Sequence, residues 1–196
     1  MIQFYKPNPR LTGTACSFWM NADNTIMSSM IKQSSWDEKR KVGSFAANKD
    51  NPKGRVIVKL SPTEIGGIID ALESNRQFST FHSSAKQTLQ VKFGPYMDKQ
   101  SDNQKGFSFS INKQDKEDST NKVGFIIGFT FPEGRYLKEY LLHLLNKFFA
   151  SDDAKQAKAA AKHRKSQKSA EVQRVVQDSD ESDLVVEEED EDDLNW

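Results

Sequence analysis

From residue 1 to about residue 60, β-branched and aromatic residues alternate with polar ones between turn signals, the period of two that a half-buried strand requires. Pro7-Asn8-Pro9 marks a first turn. Two runs, 12–21 and 25–33, are separated by Ala22-Asp23-Asn24, a short connection suited to a hairpin. Residues 42–47 form a weaker run, and a loop follows over 48–52. The segment Lys53-Gly54-Arg55-Val56-Ile57-Val58-Lys59-Leu60 then puts Val56, Val58 and Leu60 on one face and Arg55 and Lys59 on the other.

At Ser61-Pro62-Thr63-Glu64 the period changes. Ser61 can cap a helix, Pro62 fits its first turn, and Glu64 completes a capping box. The helix runs to about Asn75, with Ile65, Ile68, Ile69 and Leu72 along one face. Strands return at 78–82, 87–93, 107–113 and 123–131; Leu89, Val91 and Phe93 face one way, Thr88, Gln90 and Lys92 the other. A charged loop over 98–105 separates the second and third of these. Pro132-Glu133 opens a second helix, with Tyr136, Leu137, Tyr140, Leu141, Leu144, Leu145 and Phe148 as its apolar stripe and its end near Ala150. Strands, helix, strands, helix predicts an α+β fold of two antiparallel sheets with the helices packed on them, and not a parallel βαβ sheet with phosphate-binding crossovers.

Composition divides the chain further. Residues 1–150 read as one domain. Residues 151–177, rich in Ala, Lys, Gln and Ser with a thin apolar stripe, read as a basic helical linker, frayed or mobile. Residues 178–196 read as an acidic disordered tail, unable to bury enough apolar surface to fold alone, yet ending in Leu194-Asn195-Trp196. The formal net charge of zero conceals this polarity. Lys and Arg outnumber Asp and Glu by 21 to 14 in residues 1–150 and by 7 to 3 in 151–177, whereas 178–196 holds 11 acids and no base. Such a tail is an internal stand-in for a polyanion.

A basic β-rich body points to single-stranded nucleic acid, which is bound by cations spaced along a groove and by aromatic faces on which bases stack. The cationic candidates are Lys32, Lys53, Arg55, Lys59, Lys86 and Lys92. The aromatic ones are Trp19, Trp36, Phe45, Phe81 and Tyr96, although strand aromatics such as Phe45 usually pack inward. Trp36 ranks first because it lies in the polar stretch Gln33-Ser34-Ser35-Trp36-Asp37-Glu38, just before Lys39-Arg40-Lys41.

Signals for catalysis are weak. His82, His143 and His163 lack metal-ligand spacing. Gly66-Gly67 lies inside the first helix rather than in a phosphate loop, and Asp98 and Asp102 read as a solvated turn. No catalytic residue, metal or cofactor is expected. The single cysteine, Cys16, excludes an intramolecular disulfide and a cysteine zinc cage. Residues 1–10 show no signal-peptide pattern, and no apolar run is long enough to cross a bilayer, so a soluble, cytoplasmic protein is expected, with no membrane partner.

The repeated succession of strands and a helix, with Lys53-Gly54-Arg55-Val56-Ile57-Val58 entering the first helix, resembles the Whirly proteins and their relatives of the transcriptional-coactivator positive-cofactor-four fold. Their signature is lysine-glycine-lysine followed by small apolar residues. Lys53 and Gly54 match it, Arg55 is a conservative change, and Val56-Ile57-Val58 are bulkier. In pattern the resemblance covers residues 1–150, in motif about six positions. It implies single-stranded DNA binding, and a homo-oligomer, dimer or tetramer, is expected. The ending Asp190-Glu191-Asp192-Asp193-Leu194-Asn195-Trp196 is similar to the acidic, aromatic-capped ends of phage and bacterial replication-type single-stranded DNA-binding proteins. That second resemblance implies a phage-type protein at work in an infected host cell.

The expected function is sequence-tolerant coating of unwound DNA in replication, recombination or repair. The tail would regulate binding and recruit a replication or recombination partner through Leu194, Asn195 and Trp196. A transcription coactivator whose tail is the active element, or an RNA-binding protein, is the alternative. A five-stranded oligonucleotide-binding barrel is disfavoured by the number of strand signals and the two long helices.

Overall fold

The period-two segments become strands, and backbone pairing sorts eight of the ten into two antiparallel sheets. A computed structural model of the chain describes residues 1–98, 101, 103–118 and 120–181, with side chains described as far as residue 162. In chain order the strands are β1 (Ile2–Lys6), β2 (Thr14–Met20), β3 (Ile26–Lys32), β4 (Ser35–Asp37), β5 (Val42–Ser44) and β6 (Arg55–Leu60). Helix α1 (Pro62–Ser74) follows, then β7 (Phe78–Ser83), β8 (Gln87–Met97), β9 (Gln104–Asp115), β10 (Lys122–Phe129) and helix α2 (Phe131–Glu181). The first sheet has the order β1-β2-β3-β6, the second β10-β9-β8-β7, and β4-β5 is a separate two-stranded ribbon. The chain falls into two units, Met1–Ala150 and Ser151–Trp196. All of the described strands belong to the first.

The core forms where the inner faces of the sheets meet. Phe4 stands edge-on to Phe129 with ring centroids 4.8 Å apart, and Phe18 lies 5.4 Å from Phe109. Phe93 sits among Phe107, Phe109 and Phe129 at about 6 Å from each, within the range in which aromatic pairs add to area burial. Both helices close on this core: α1 through Ile65, Ile68 and Ala71, α2 through Leu137, Leu141 and Leu144. Gly67 is required by that packing, because a Cβ there would lie 2.3 Å from the Phe78 ring.

Each helix begins with a capping box. Ser61 Oγ accepts from the Glu64 amide at 3.2 Å while Glu64 Oε2 accepts from the Ser61 amide at 2.8 Å. At α2 the Thr130 amide donates to Glu133 Oε2 at 2.8 Å, and the Glu133 amide donates to Thr130 Oγ1 at 3.4 Å. Both glutamates also reach across the fold. Glu64 Oε1 accepts from the Thr80 hydroxyl at 2.8 Å and lies 2.9 Å from His82 Nε2, whereas Glu133 Oε1 pairs with Lys6 Nζ. Asn75 ends α1 in the left-handed region, φ 56°.

Several elements differ from the sequence reading. The ribbon strand β4 arises in the polar stretch around Trp36, where no strand is expected; Trp36 pairs with Gly43 of β5. Helix α2 continues past Ala150 to Glu181, since the Ala-, Lys- and Gln-rich segment consists of helix formers. The helix assignment thus extends four residues past the boundary expected at 177. Tyr136 is 62% exposed, although its ring is 6.3 Å from Phe4. The rest of the tail, with Leu194, Asn195 and Trp196, lies outside the described residues, as do Asp102 and the side chain of His163. Among the described residues no helix is long and apolar enough to cross a membrane.

Candidate nucleic-acid interface

Strand alternation gives the first sheet an outer face made from Gln3 and Tyr5 of β1, Ala15, Ser17 and Trp19 of β2, Met27, Ser29 and Ile31 of β3, and Arg55, Ile57 and Lys59 of β6. No carboxylate occupies any of these strand positions. A cleft of about 330 Å³ crosses the face, and Phe45 and Lys49 from the loop after β5 form one wall. Three aromatic side chains line it: Tyr5, 56% exposed, Trp19 and Phe45. The Tyr5 and Phe45 rings are 5.9 Å apart and tilted by 59°.

Arg55 is held in the cleft by acceptors that leave its charge unneutralised. Its Nε donates to Ser29 Oγ at 3.3 Å and its Nη1 to the Lys49 carbonyl at 3.0 Å. Trp19 donates its indole N–H to Asn21 Oδ1 at 2.6 Å, which orients the ring at the end of β2. Gly54 lets the strand entry close up: a Cβ there would lie 2.3 Å from Asn48 Oδ1, and Asn48 Nδ2 donates to the Lys32 carbonyl at 2.9 Å. Lys59 is exposed at the far end of β6, where its charge helps hold the Asp23 carboxyl below the usual range, after the larger effect of hydrogen bonds from Thr25.

The candidates named from the sequence fall into four places. Arg55 and Lys59 share the outer face with Trp19. Lys32 does not; the alternation of β3 puts it on the inward-facing side with Met30, and its Nζ lies 5.0 Å over the Phe125 ring. It sits at the end of the domain that also holds Lys53, whose charge adds a little to the lowering of the Asp118 carboxyl by hydrogen bonds from Thr120, and Lys86, whose carbonyl accepts from the Lys116 amide at 2.9 Å. Phe81 and Lys92 lie on the outer face of the second sheet, where Phe81 pairs with Gln90 and Lys92 with Ser79. Tyr96 stands at the end of that sheet beside Lys105, which pairs with Asp98 at 2.5 Å.

Trp36 lies on the β4-β5 ribbon, on neither sheet face. Its side chain is half-buried, with its indole Nε1 buried and, among the described residues, without a hydrogen-bond partner. Its neighbours Ser35 and Asp37 are turned outward by the ribbon, while the ring itself is turned in. The tryptophan on the cleft is instead Trp19. Tyr5 and Lys49 complete the cleft and were not singled out in the sequence. Tyr5 carried a usable signal, the same alternation as Gln3 opposite buried Ile2 and Phe4; Lys49 carried none, because a loop has no periodicity.

Burial, opposed only by the Ser28 contact, pushes the Cys16 thiol up to about 12, so it is not a thiolate nucleophile at neutral pH. His82 faces the capping Glu64, and His143 stacks obliquely near Tyr140. Among the described residues no group of three His, Cys, Asp or Glu side chains is placed to hold a metal ion.

No protein-family model matches the chain, and no curated protein matches it in sequence. Solved structures match its fold. WHY1 from Arabidopsis thaliana aligns with a TM-score of 0.54 at 17% identity, covering 82% of this chain and 91% of that one. WHY3 from the same plant gives 0.54 at 18% over 82% and 95%, and the plant transcriptional regulator PBF-2 gives 0.54 at 16% over 78% and 92%. At such identities the likeness is one of architecture: the chain has a Whirly-like α+β fold, with two antiparallel sheets facing each other and two helices closing on their core.

Proposed function

We propose that this chain binds single-stranded DNA, without sequence preference, along the outer face of its first sheet. The observation that carries the reading is the cleft in which Arg55 and Lys49 stand beside Tyr5, Trp19 and Phe45 with no carboxylate on the strand positions of that face. Cations along a backbone path and aromatic faces for unpaired bases are the two requirements of single-strand binding. Duplex, whose bases stay stacked, meets only the cations. Lys53 and Lys86 would extend the path at one end of the domain, and the Whirly-like fold supports the reading by resemblance. The cellular role proposed is to coat and protect unwound DNA in replication, recombination or repair, as phage-type replication proteins do. The acidic tail would compete with DNA for the basic face and recruit partners through Leu194, Asn195 and Trp196.

The test is fluorescence anisotropy with labelled oligo-dT, the same length of RNA, and duplex, comparing the full chain with Trp19→Ala. Tight binding to oligo-dT that weakens on loss of Trp19 supports the proposal. Preference for duplex, or an oligo-dT affinity unchanged in Trp19→Ala, removes it; tighter binding of RNA makes the protein an RNA binder on the same face.

A further inference from the structure

The two sheets expose four edge strands, β1, β6, β7 and β10, each hydrogen-bonded to a neighbour on one side only. An open edge is a template for another strand, and proteins usually blunt it with charge, proline or a bulge. Three of these edges carry such a guard: Lys6 on β1, Arg55 and Lys59 on β6, Lys122 on β10. Strand β7 carries none. Its sequence, Phe78-Ser79-Thr80-Phe81-His82-Ser83, has no proline, no lysine or arginine and no acid. Its one titratable side chain, His82, is turned inward against Glu64. On the outer face, at the middle of this edge, Phe81 is 65% exposed, out of the water-avoiding position a phenylalanine normally takes.

We infer that β7 is an interface between two copies of this chain, paired antiparallel about a two-fold axis at Phe81. The order of side chains selects a second copy over an unrelated strand. The outward-facing residues Ser79, Phe81 and Ser83 read the same in both directions, so a two-fold at Phe81 sets Phe81 opposite Phe81 and Ser79 opposite Ser83 of the partner. Isologous contacts need that self-complementarity. On the inner side Thr80 meets His82 of the partner, and no like charges oppose each other. Aromatic cross-strand pairs are among the more stabilising on a sheet. The union joins two four-stranded sheets into one of eight. It uses a different surface from the cleft on the first sheet, so it stands or falls apart from the nucleic-acid proposal.

Sedimentation velocity of the full chain, free of nucleic acid, tests the inference. The assembled species should halve in mass in Phe81→Lys, with at least a tenfold loss in association constant. Mixing Phe81→Lys with Phe81→Glu should restore it, because opposite charges then face each other across the axis. Phe81→Cys guards against a variant that fails to fold: oxidised, it should cross-link to a covalent dimer, and buried Cys16 should not. A wild-type chain that is monomeric at all concentrations, or a mass unchanged in Phe81→Lys with no cross-link in Phe81→Cys, overturns the inference. An unchanged mass together with a tenfold loss of oligo-dT affinity assigns Phe81 to nucleic acid and overturns it too.

Discussion

Arg55→Gln removes one charge from the cleft while keeping a side chain long enough to bond Ser29, whose Oγ lies 3.3 Å from the Arg55 Nε. Lys59→Ala removes a charge at the other end of the same strand. The two losses should be unequal. Arg55 is engaged by a hydroxyl and a carbonyl, neither of which cancels its charge, whereas Lys59 shares its field with the Asp23 carboxyl in the neighbouring turn. Each phosphate contact to a single strand adds about 0.7 to the slope of log K against log salt. Arg55→Gln should therefore lower the slope by about 0.7, Lys59→Ala by less, and the pair by at most about 1.4. Carried to affinity, the double variant should bind at most about 25-fold more weakly near 0.1 M salt, and the gap should shrink at most about sevenfold between 0.05 and 0.2 M. Anisotropy titrations of oligo-dT at four or five salt concentrations measure the slopes, and urea melts establish that each variant is folded. An unchanged slope in Arg55→Gln, or a larger change in Lys59→Ala than in Arg55→Gln, would show that the phosphates do not follow this cleft.

Trp19→Ala should cost about 1–3 kcal/mol of single-strand affinity and remove most of the fluorescence quenching by DNA, while Trp36→Phe should leave both nearly unchanged; the opposite pattern returns the stacking role to the ribbon. Deleting 178–196, where all 11 acids of the tail lie, should tighten DNA binding at low salt and hardly at high salt, whereas removing only 194–196 should leave affinity alone and abolish partner capture. A short truncation that alters DNA binding instead would refute that division. The Glu64 and Glu133 carboxyls are both held below their ordinary 4.5: burial opposes this, but hydrogen bonds from Ser61 and Thr80 outweigh it at Glu64, and those from Lys6 and Thr130 at Glu133. Their depressed folded values mean that the stability they supply is complete above pH 4.5 and is lost as pH falls through the folded values. Urea midpoints from pH 7 to 3 should show a fall below pH 4.5 that Glu64→Gln and Glu133→Gln together flatten; an equal acid-side fall in that double variant would place the titration elsewhere.

Alternation was the most legible signal in the chain, because it is physically enforced wherever one face of a strand is buried. Val56, Val58 and Leu60 against Arg55 and Lys59, and Leu89, Val91 and Phe93 against Gln90 and Lys92, could be assigned from sequence and lie as assigned. The Ser61–Glu64 box was legible for the same reason, since local hydrogen bonds need only local sequence. The ribbon was not. Trp36 is turned inward by pairing with Gly43, across a turn whose Asp37 carboxylate accepts from the Lys39 and Arg40 amides, and hydropathy is blind to such pairing. Lys32 shows another limit. It obeys the alternation of β3 and so points inward, and only the proximity of Phe125 from the other sheet gives its ammonium a place to rest. The cleft itself needs Lys49 and Phe45 to fold back over Arg55, a long-range fact that no window along the sequence contains.

The two capping glutamates explain why the outer faces are left bare. Helix α1 follows the first sheet in the chain, yet its Glu64 is tied to Thr80 and His82 of β7 in the second. Helix α2 follows the second sheet, yet its Glu133 is tied to Lys6 of β1 in the first. Each helix thus starts where one sheet ends and is latched to an edge strand of the other, so the halves are interlocked and neither cap is local in its effect. With Ile65, Ile68 and Ala71 of α1 and Leu137, Leu141 and Leu144 of α2 taken up by the shared core, the outer sides of the strands have no helix layer of their own to bury against. A protein that must expose half of each strand to water would ordinarily fill those positions with small polar and charged side chains. The second sheet does so for the most part, with Ser79, Gln90, Lys92, Ser110 and Asn112. The first sheet instead places Tyr5, Trp19, Met27, Ile31 and Ile57 there, between cations. Apolar rings and branched chains kept in water by the architecture, next to the unneutralised charge of Arg55, make a surface suited to a flexible anion with flat apolar faces, the kind of cover that the proposed single strand would supply.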